Sequence, residues 1–449
     1  MMRGMPAEFD LIVRGGVVVS SAGRNDADVG IQGGKIVAVG DLRESTAVRE
    51  ISAQGLHVLP GVIDTQVHFR EPGLTHKEDI ETGSRAAVMG GVTTYFEMPN
   101  TNPATTTREA LEGKLARAKG RSWANYAFFI GASAQNVDEL AALEMLPGTP
   151  GVKLFIGSST GDLLVEEDEL IARILEAGVR PCAVHAEDEA RLRERKSLLS
   201  DNPHVREHPF IRDEEVALLA TKRMIALCKR TGRPVHILHI STWQEFAILV
   251  KAKGNRLPVT CEVTPQHLSL NAEAYEALGT LVQMNPPIRD EEHRRELWSG
   301  VSVGLFDVFG SDHAPHTLEE KQQPYPKSPS GMPGVQTMLP ILLDWVHRSK
   351  LELEKVVKMT AERPAELFGI AGKGHIAPGY DADLAVVDLE EEFEVTKYWI
   401  QSKCRWSPFE GQFLIGKPVH TIVNGVAVVS NGVIVGEPAG RMVEFTWKN

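Results

Sequence analysis

The sequence predicts an α/β protein: a (β/α)8 barrel with a small β-sandwich built from both termini. Three observations carry this. From about residue 60 to 372, short β-branched runs alternate with stretches of helical periodicity, the rhythm of parallel βα units. No G-x-G-x-x-G opens that stretch, which disfavours a doubly wound sheet. Glycine-punctuated β-rich segments lie at the two ends of the chain. The expected division is therefore 1–59 plus 373–449 for the sandwich and 60–372 for the barrel.

Taken in order, Leu11-Ile12-Val13, Val17-Val18-Val19 and Ile36-Val37, with the pairs Gly15-Gly16 and Gly33-Gly34 among them, read as hairpins of a small sheet. Gly61 to Gly73 then forms the stretch around which the chain is organised. A β-branched run ends in a polar cluster and breaks at Pro72-Gly73, as a barrel strand does when it delivers side chains to its C-terminal mouth. Strand periodicity places Gln66, His68 and Arg70 on one face, with Val67 and Phe69 on the other. Between Ile211 and Thr231, Val216, Leu219, Ala220, Met224 and Leu227 keep helical spacing until Gly232, and Pro234 to His239 reads as the next strand. Thr317 to Gly334, rich in Pro, Lys, Glu and Ser, is expected to be the loosest segment, a long loop over the barrel mouth. Near the end, Asn424-Gly425 and Asn431-Gly432 suit type I′ turns between strands.

The composition narrows the class. Four scattered cysteines among 449 residues form no C-x-x-C pair, which suits a reducing compartment, so a cytoplasmic location is expected. Met1 to Asp10 lacks a basic region followed by an apolar one, and no apolar run approaches membrane-spanning length. A formal net charge of −12 without basic stripes argues against nucleic-acid binding. A small-molecule substrate is expected instead.

Polar residues recur at or near the ends of apolar runs: His68, Lys153, His185, His239 and Asp312. If those runs are barrel strands, all five side chains meet in one mouth, and three imidazoles, a carboxylate and a lysine suit a metal-assisted hydrolase using zinc. Singly, each has a plainer reading. A lysine in an apolar strand usually snorkels or pairs with a carboxylate. Lys153 has a more specific alternative, since desolvation favours the neutral amine, which adds carbon dioxide to give a metal-bridging carbamate. Asp312 could cap a turn, or it could take a proton from the attacking water. His236 falls out of phase and is expected to be a buried structural histidine.

Taken together, Asp64-x-x-x-His68-x-Arg70-x-Pro72-Gly73, Met98-Pro99-Asn100-Thr101, Gly151-Val152-Lys153-Leu154-Phe155, Val184-His185-Ala186-Glu187, His236-x-x-His239, Asn285-Pro286-Pro287-Ile288-Arg289, Ser311-Asp312-His313-Ala314-Pro315-His316 and Gly331-Met332-Pro333-Gly334 resemble the dihydroorotase family, within the amidohydrolase superfamily of cyclic amidases. The resemblance covers the barrel nearly end to end. It implies reversible hydrolysis of (S)-dihydroorotate to N-carbamoyl-L-aspartate in pyrimidine biosynthesis. It also implies zinc held by His68, carboxylated Lys153, His185, His239 and Asp312. Arg70, Asn100 and His316 would hold the substrate carboxylate, and Asn285 with the Pro333-Gly334 backbone would contact the ring. A homo-oligomer, and aspartate transcarbamoylase as a companion, are expected on the same basis.

One position departs from the pattern. The family has His-x-His at the first strand, and here the first histidine is replaced by Gln66. A neutral amide is a poorer zinc ligand than imidazole, so one tight and one weak metal are expected. Allantoinase or hydantoinase chemistry, and a non-catalytic family member, are the alternatives.

Overall fold

The computed structural model describes residues 8–157 and 163–447. Met1 to Ala7, part of the stretch on which the expected lack of a leader rests, lie outside the described residues.

Eight parallel strands follow one another around a barrel: Val62–Val67, Val92–Glu97, Asn125–Phe128 continuing as Ile130–Gly131, Val152–Phe155, Cys182–His185, Val235–Ile237, Val259–Val263 and Val308–Phe309. Each pairs in parallel with the next. The ring closes where Val67 bridges His313 and the His68 N–H donates to the His313 carbonyl at 2.7 Å. These strands are buried on both faces, which explains why they read as continuous apolar runs.

Helices Ile80–Met89, Arg108–Ala118, Asp168–Glu176, Glu214–Thr231, Phe246–Gly254 and Glu291–Ser302 are among those that connect the strands. The expected 211–231 helix starts at Glu214, because the Asp213 carboxylate accepts from the Val216 N–H and so caps it, and it ends at Gly232 with φ 74°.

Under this shell lies a buried ion pair. Glu144 bonds the Arg233 guanidinium, both side chains are 1 % exposed, and Glu144 also accepts from the Val179 N–H at 2.6 Å. Glu144→Ala removes one partner and leaves the other charge buried. A loss of about 3–5 kcal/mol is expected in denaturant unfolding, whereas a surface pair such as Arg43 with Asp41 contributes little.

The two termini make one hydrogen-bonded sheet of nine strands. It encloses its own core of Leu11, Val13, Ile31, Ile36, Val58, Leu384, Val386 and Ile422. The turn at Gly33-Gly34 returns to Ala382, whose N–H donates to the Gly34 carbonyl at 2.9 Å. The Asn-Gly steps are turns as expected, with φ 50° and 80° at Asn424 and Gly425 and 50° and 70° at Asn431 and Gly432. Gly15-Gly16 is a correction. Phe9–Ser20 is one twelve-residue strand, and the glycine pair marks a register shift inside it, not a hairpin turn. Gly16 has no room for a side chain, since a Cβ there would lie 2.7 Å from Val58 and 2.9 Å from Ala53.

The segment from Thr317 to Gly334 is also a correction to the expectation of looseness. Thr317 and Glu320 form a capping box on the short helix Leu318–Lys321. The fully buried Lys321 ammonium donates to the carbonyls of Gln283, Pro329 and Gly331 at 3.0, 2.8 and 2.9 Å. Composition misleads here because a polar lysine is solvated by backbone carbonyls instead of water. No helix among the described residues is long and apolar enough to cross a membrane.

Candidate active site

Of the five residues expected at the barrel mouth, four sit at or just beyond strand ends and one lies within a strand. His68 follows the first strand, Lys153 lies in the fourth and His185 closes the fifth. His239 stands two residues past the sixth and Asp312 three past the eighth. Register places Lys153 beside Ala183 and Phe155 beside His185 across the fourth and fifth strands. Three non-glycine residues of this rim occupy the left-handed region: Arg70 with φ 64°, His239 with φ 35° and Asp312 with φ 43°. Such conformations cost on the order of 1–3 kcal/mol each and persist where the surroundings over-determine them. Just ahead of Asp312, Gly310 is required by close approach, since a Cβ there would stand 2.2 Å from a Glu262 carboxylate oxygen.

The donors form two pairs. In one, His185 and His239 present Nδ1 and Nε2 to each other at 3.1 Å. His185 Nε2 bonds the buried Glu187 carboxylate at 2.8 Å, so the ring proton is on Nε2 and the Nδ1 lone pair faces His239. Glu187 is bonded in turn by Arg212 at 2.6 Å. Burial pushes the Glu187 carboxyl up, but Arg212 and His185 together hold it well below its ordinary range.

In the other pair, His68 Nε2 and Asp312 Oδ1 are 3.4 Å apart. The His68 Nδ1–H donates to Asn100 Oδ1 at 2.8 Å, which again leaves the lone pair on the site-facing nitrogen. Gln66 shares the face of His68, as strand periodicity requires. Its Nε2 donates to Asp312 Oδ1 at 3.0 Å, while its Oε1 is buried without a partner.

Lys153 lies within electrostatic reach of His68, His185, His239 and Asp312. It is 1 % exposed, and its Nζ has no hydrogen-bond partner among the described residues. Burial brings its ammonium down to about 7, against the pull of Asp312. Burial likewise pushes the Asp312 carboxyl up to about 7, against His185, Lys153 and Arg70. A neutral amine is therefore within reach near pH 7.

No group of three or more His, Cys, Asp or Glu side chains among the described residues is placed to hold a single ion. The donor set nevertheless fits a binuclear centre under one condition. Each pair lacks a third donor, and Lys153, whose buried Nζ has no hydrogen-bond partner among the described residues, would supply one if carboxylated.

On the substrate side, Arg70 Nε donates to the Pro315 carbonyl at 3.1 Å, and Nη2 stands 3.2 Å from His316 Nε2. No carboxylate pairs with Arg70 among the described residues, and burial lowers its guanidinium to about 10. Asn285 and Gly334 are tied elsewhere. Asn285 Oδ1 accepts from His208 Nε2 at 3.0 Å, and the Gly334 N–H donates to His313 Nδ1 at 3.1 Å. The Gly334 carbonyl is taken by Thr337 and Met338, so of the Pro333-Gly334 backbone it is the Pro333 carbonyl that is left for a ligand.

Sequence reasoning missed Glu187, Arg212, His208 and Lys77. Only Glu187 left a signal: a carboxylate two residues past a strand-end histidine shares that histidine's side. His236 is buried as expected, with Nδ1 bonding Thr260 Oγ1 at 2.9 Å.

The sequence profile of the Amidohydrolase family matches residues 57–428. The chain belongs to the amidohydrolase family. It is 36% identical over 431 residues to the dihydroorotase of Methanosarcina mazei, covering 93% of this chain and 94% of that protein. It is 34% identical over 444 residues to the allantoinase of Desulfitobacterium hafniense, covering 97% and 98%. Superposed on the L-hydantoinase (dihydropyrimidinase) of Arthrobacter aurescens, this amidohydrolase gives a TM-score of 0.92 at 31% identity, with 97% and 99% of the two chains covered. It is thus a cyclic amidase acting on a small molecule, and the barrel flanked by a β-sandwich is the fold that the sequence predicts.

Proposed function

We propose that this amidohydrolase catalyses the reversible hydrolysis of (S)-dihydroorotate to N-carbamoyl-L-aspartate in pyrimidine biosynthesis. It would do so at a zinc centre held by His68, carboxylated Lys153, His185, His239 and Asp312. The observation that carries the substrate is Arg70. A buried guanidinium without a carboxylate partner is costly, and a ligand acid relieves that cost. Dihydroorotate carries such an acid beside its ring amide, whereas allantoin and hydantoin rings lack it. Asn100 and His316 flank the clamp, with Asn285 and the Pro333 carbonyl on the ring side.

The chain's own residues then have distinct tasks. Arg70 fixes the ring by its carboxylate in a planar fork. Asp312 takes a proton from the attacking water as its oxygen bonds the ring carbonyl carbon, and returns it to the ring nitrogen as the C–N bond breaks. Glu187 and Asn100 hold His185 and His68 in the tautomers that expose a lone pair to the site. Metal held there supplies Lewis acidity and lowers the pKa of the water. The catalytic unit in this reading is the barrel of 60–372, with the nine-stranded sheet of 1–59 and 373–449 beside it. Four free cysteines suit a cytoplasmic protein. A homo-oligomer, and aspartate transcarbamoylase as a partner, complete the proposal.

Two variants test parts of it. Arg70→Lys keeps the charge and loses the fork, so KM for dihydroorotate should rise by roughly ten- to a hundredfold, the scale of about 1.5–3 kcal/mol for a charged hydrogen bond. An unchanged KM would remove Arg70 from the clamp. In dialysed protein, zinc per chain should fall clearly below two and rise in Gln66→His, because Gln66 offers only an amide oxygen where imidazole would bind. Two tightly held ions in the unmodified protein would refute the weak second site.

A further inference from the structure

We propose that Lys77, outside the expected ligand set, fixes the tautomer of His316 so that its Nε2–H stays with the Ser330 carbonyl and the terminal edge of Arg70 is left free for the substrate carboxylate. This rests on the proposed clamp and adds a positioning residue to it.

Lys77 lies in the turn after the first strand. Its ammonium is 3.1 Å from His316 Nδ1 and 3.3 Å from Glu320 Oε1, with a side chain only 14% exposed. An ammonium has donors alone, so the Nδ1 it bonds carries the lone pair and the ring proton sits on Nε2. That Nε2 lies 3.1 Å from the Ser330 carbonyl, an acceptor that suits an N–H. Arg70 Nη2, at 3.2 Å from the same nitrogen, then meets an N–H and forms no hydrogen bond with the ring. Its terminal edge stays available to a ligand acid.

The alternative tautomer is close at hand. Glu320 Oε2 is 3.6 Å from His316 Nδ1 and could accept a proton there. The lone pair would then move to Nε2 and face the Ser330 carbonyl, a repulsive arrangement. Arg70 would bond that lone pair and lose a donor for the substrate. Lys77 blocks this twice, by occupying Nδ1 as a donor and by neutralising Glu320. Glu320 is meanwhile held by the Thr317 capping box, so it remains close to the ring in the absence of Lys77.

The decisive measurement is the ring-nitrogen NMR of His316 in protein carrying 15N-labelled histidine, assigned with a His316→Gln variant. The unmodified protein should show the Nε2–H tautomer and Lys77→Met the Nδ1–H tautomer. KM for dihydroorotate should rise about tenfold in Lys77→Met with kcat within about twofold, and Lys77→Arg, also a pure donor, should restore both readings. In the double variant Lys77→Met with Glu320→Gln, the amide introduced beside the ring can donate to Nδ1, so the Nε2–H tautomer should return. The inference is overturned if Lys77→Met leaves the tautomer unchanged, or if kcat and KM deteriorate together without rescue by arginine. Since the NMR reading needs no substrate, failure to turn over dihydroorotate would count against the proposed function and not against this inference.

Discussion

Lys153→Met is expected to lose activity by roughly a thousandfold or more while the metal-free protein remains at least as stable. Several kcal/mol of transition-state stabilisation depend on the metal ions that a carboxylated lysine would bridge. Methionine matches the lysine stem in volume and leaves no polar atom in the strand. The unmodified chain, by contrast, buries an amine without a hydrogen-bond partner. Stability and activity should therefore separate, as they do where function maintains an unfavourable group. Turnover beside a thermal melt checks this. Retained activity would show that Lys153 is only a buried strand residue.

Asp312→Asn is the second large effect. A general acid–base group contributes typically 10²–10⁴ in rate, and that range is the expected fall in kcat. Asparagine is preferable to alanine for this test. Asp312 sits at φ 43°, where Asn is tolerated and Ala is strained, and an amide oxygen can keep the bond from Gln66 Nε2. The melting temperature should stay close to that of the parent. If kcat survives, the proton is carried by some other group, and Asp312 merely closes the barrel rim.

Much of the placement of the candidate site was legible because barrel strands announce themselves. An apolar run that stops at a polar residue marks a strand end, and His68, His185, His239 and Asp312 lie at or just past such ends, whereas Lys153 interrupts the apolar run Val152–Phe155 from within. The phase of Gln66 and His68 was readable too, and both reach the same Asp312 oxygen. Partners brought in from other loops were not readable. Arg212 joins Glu187 from 25 residues away, and His208 reaches Asn285 across 77. No local pattern encodes such meetings, which are settled by the packing of βα loops. The termini show the same limit: Asn-Gly steps fixed their turns, yet Gly15-Gly16 proved to be a bulge because Val58 and Ala53 leave no space for a side chain. Lys321 shows how composition misleads, since a run that reads as solvated loop is pinned by that one buried ammonium.

The central claim is that an acid-bearing cyclic amide is the substrate, held by Arg70 beside a metal centre. Its most direct test is turnover of dihydroorotate, allantoin and dihydrouracil by the zinc-loaded protein, measured side by side. Efficient opening of dihydroorotate, with the two acid-free rings slower by orders of magnitude in kcat/KM, is the predicted result. Equal or faster turnover of allantoin or dihydrouracil would contradict it.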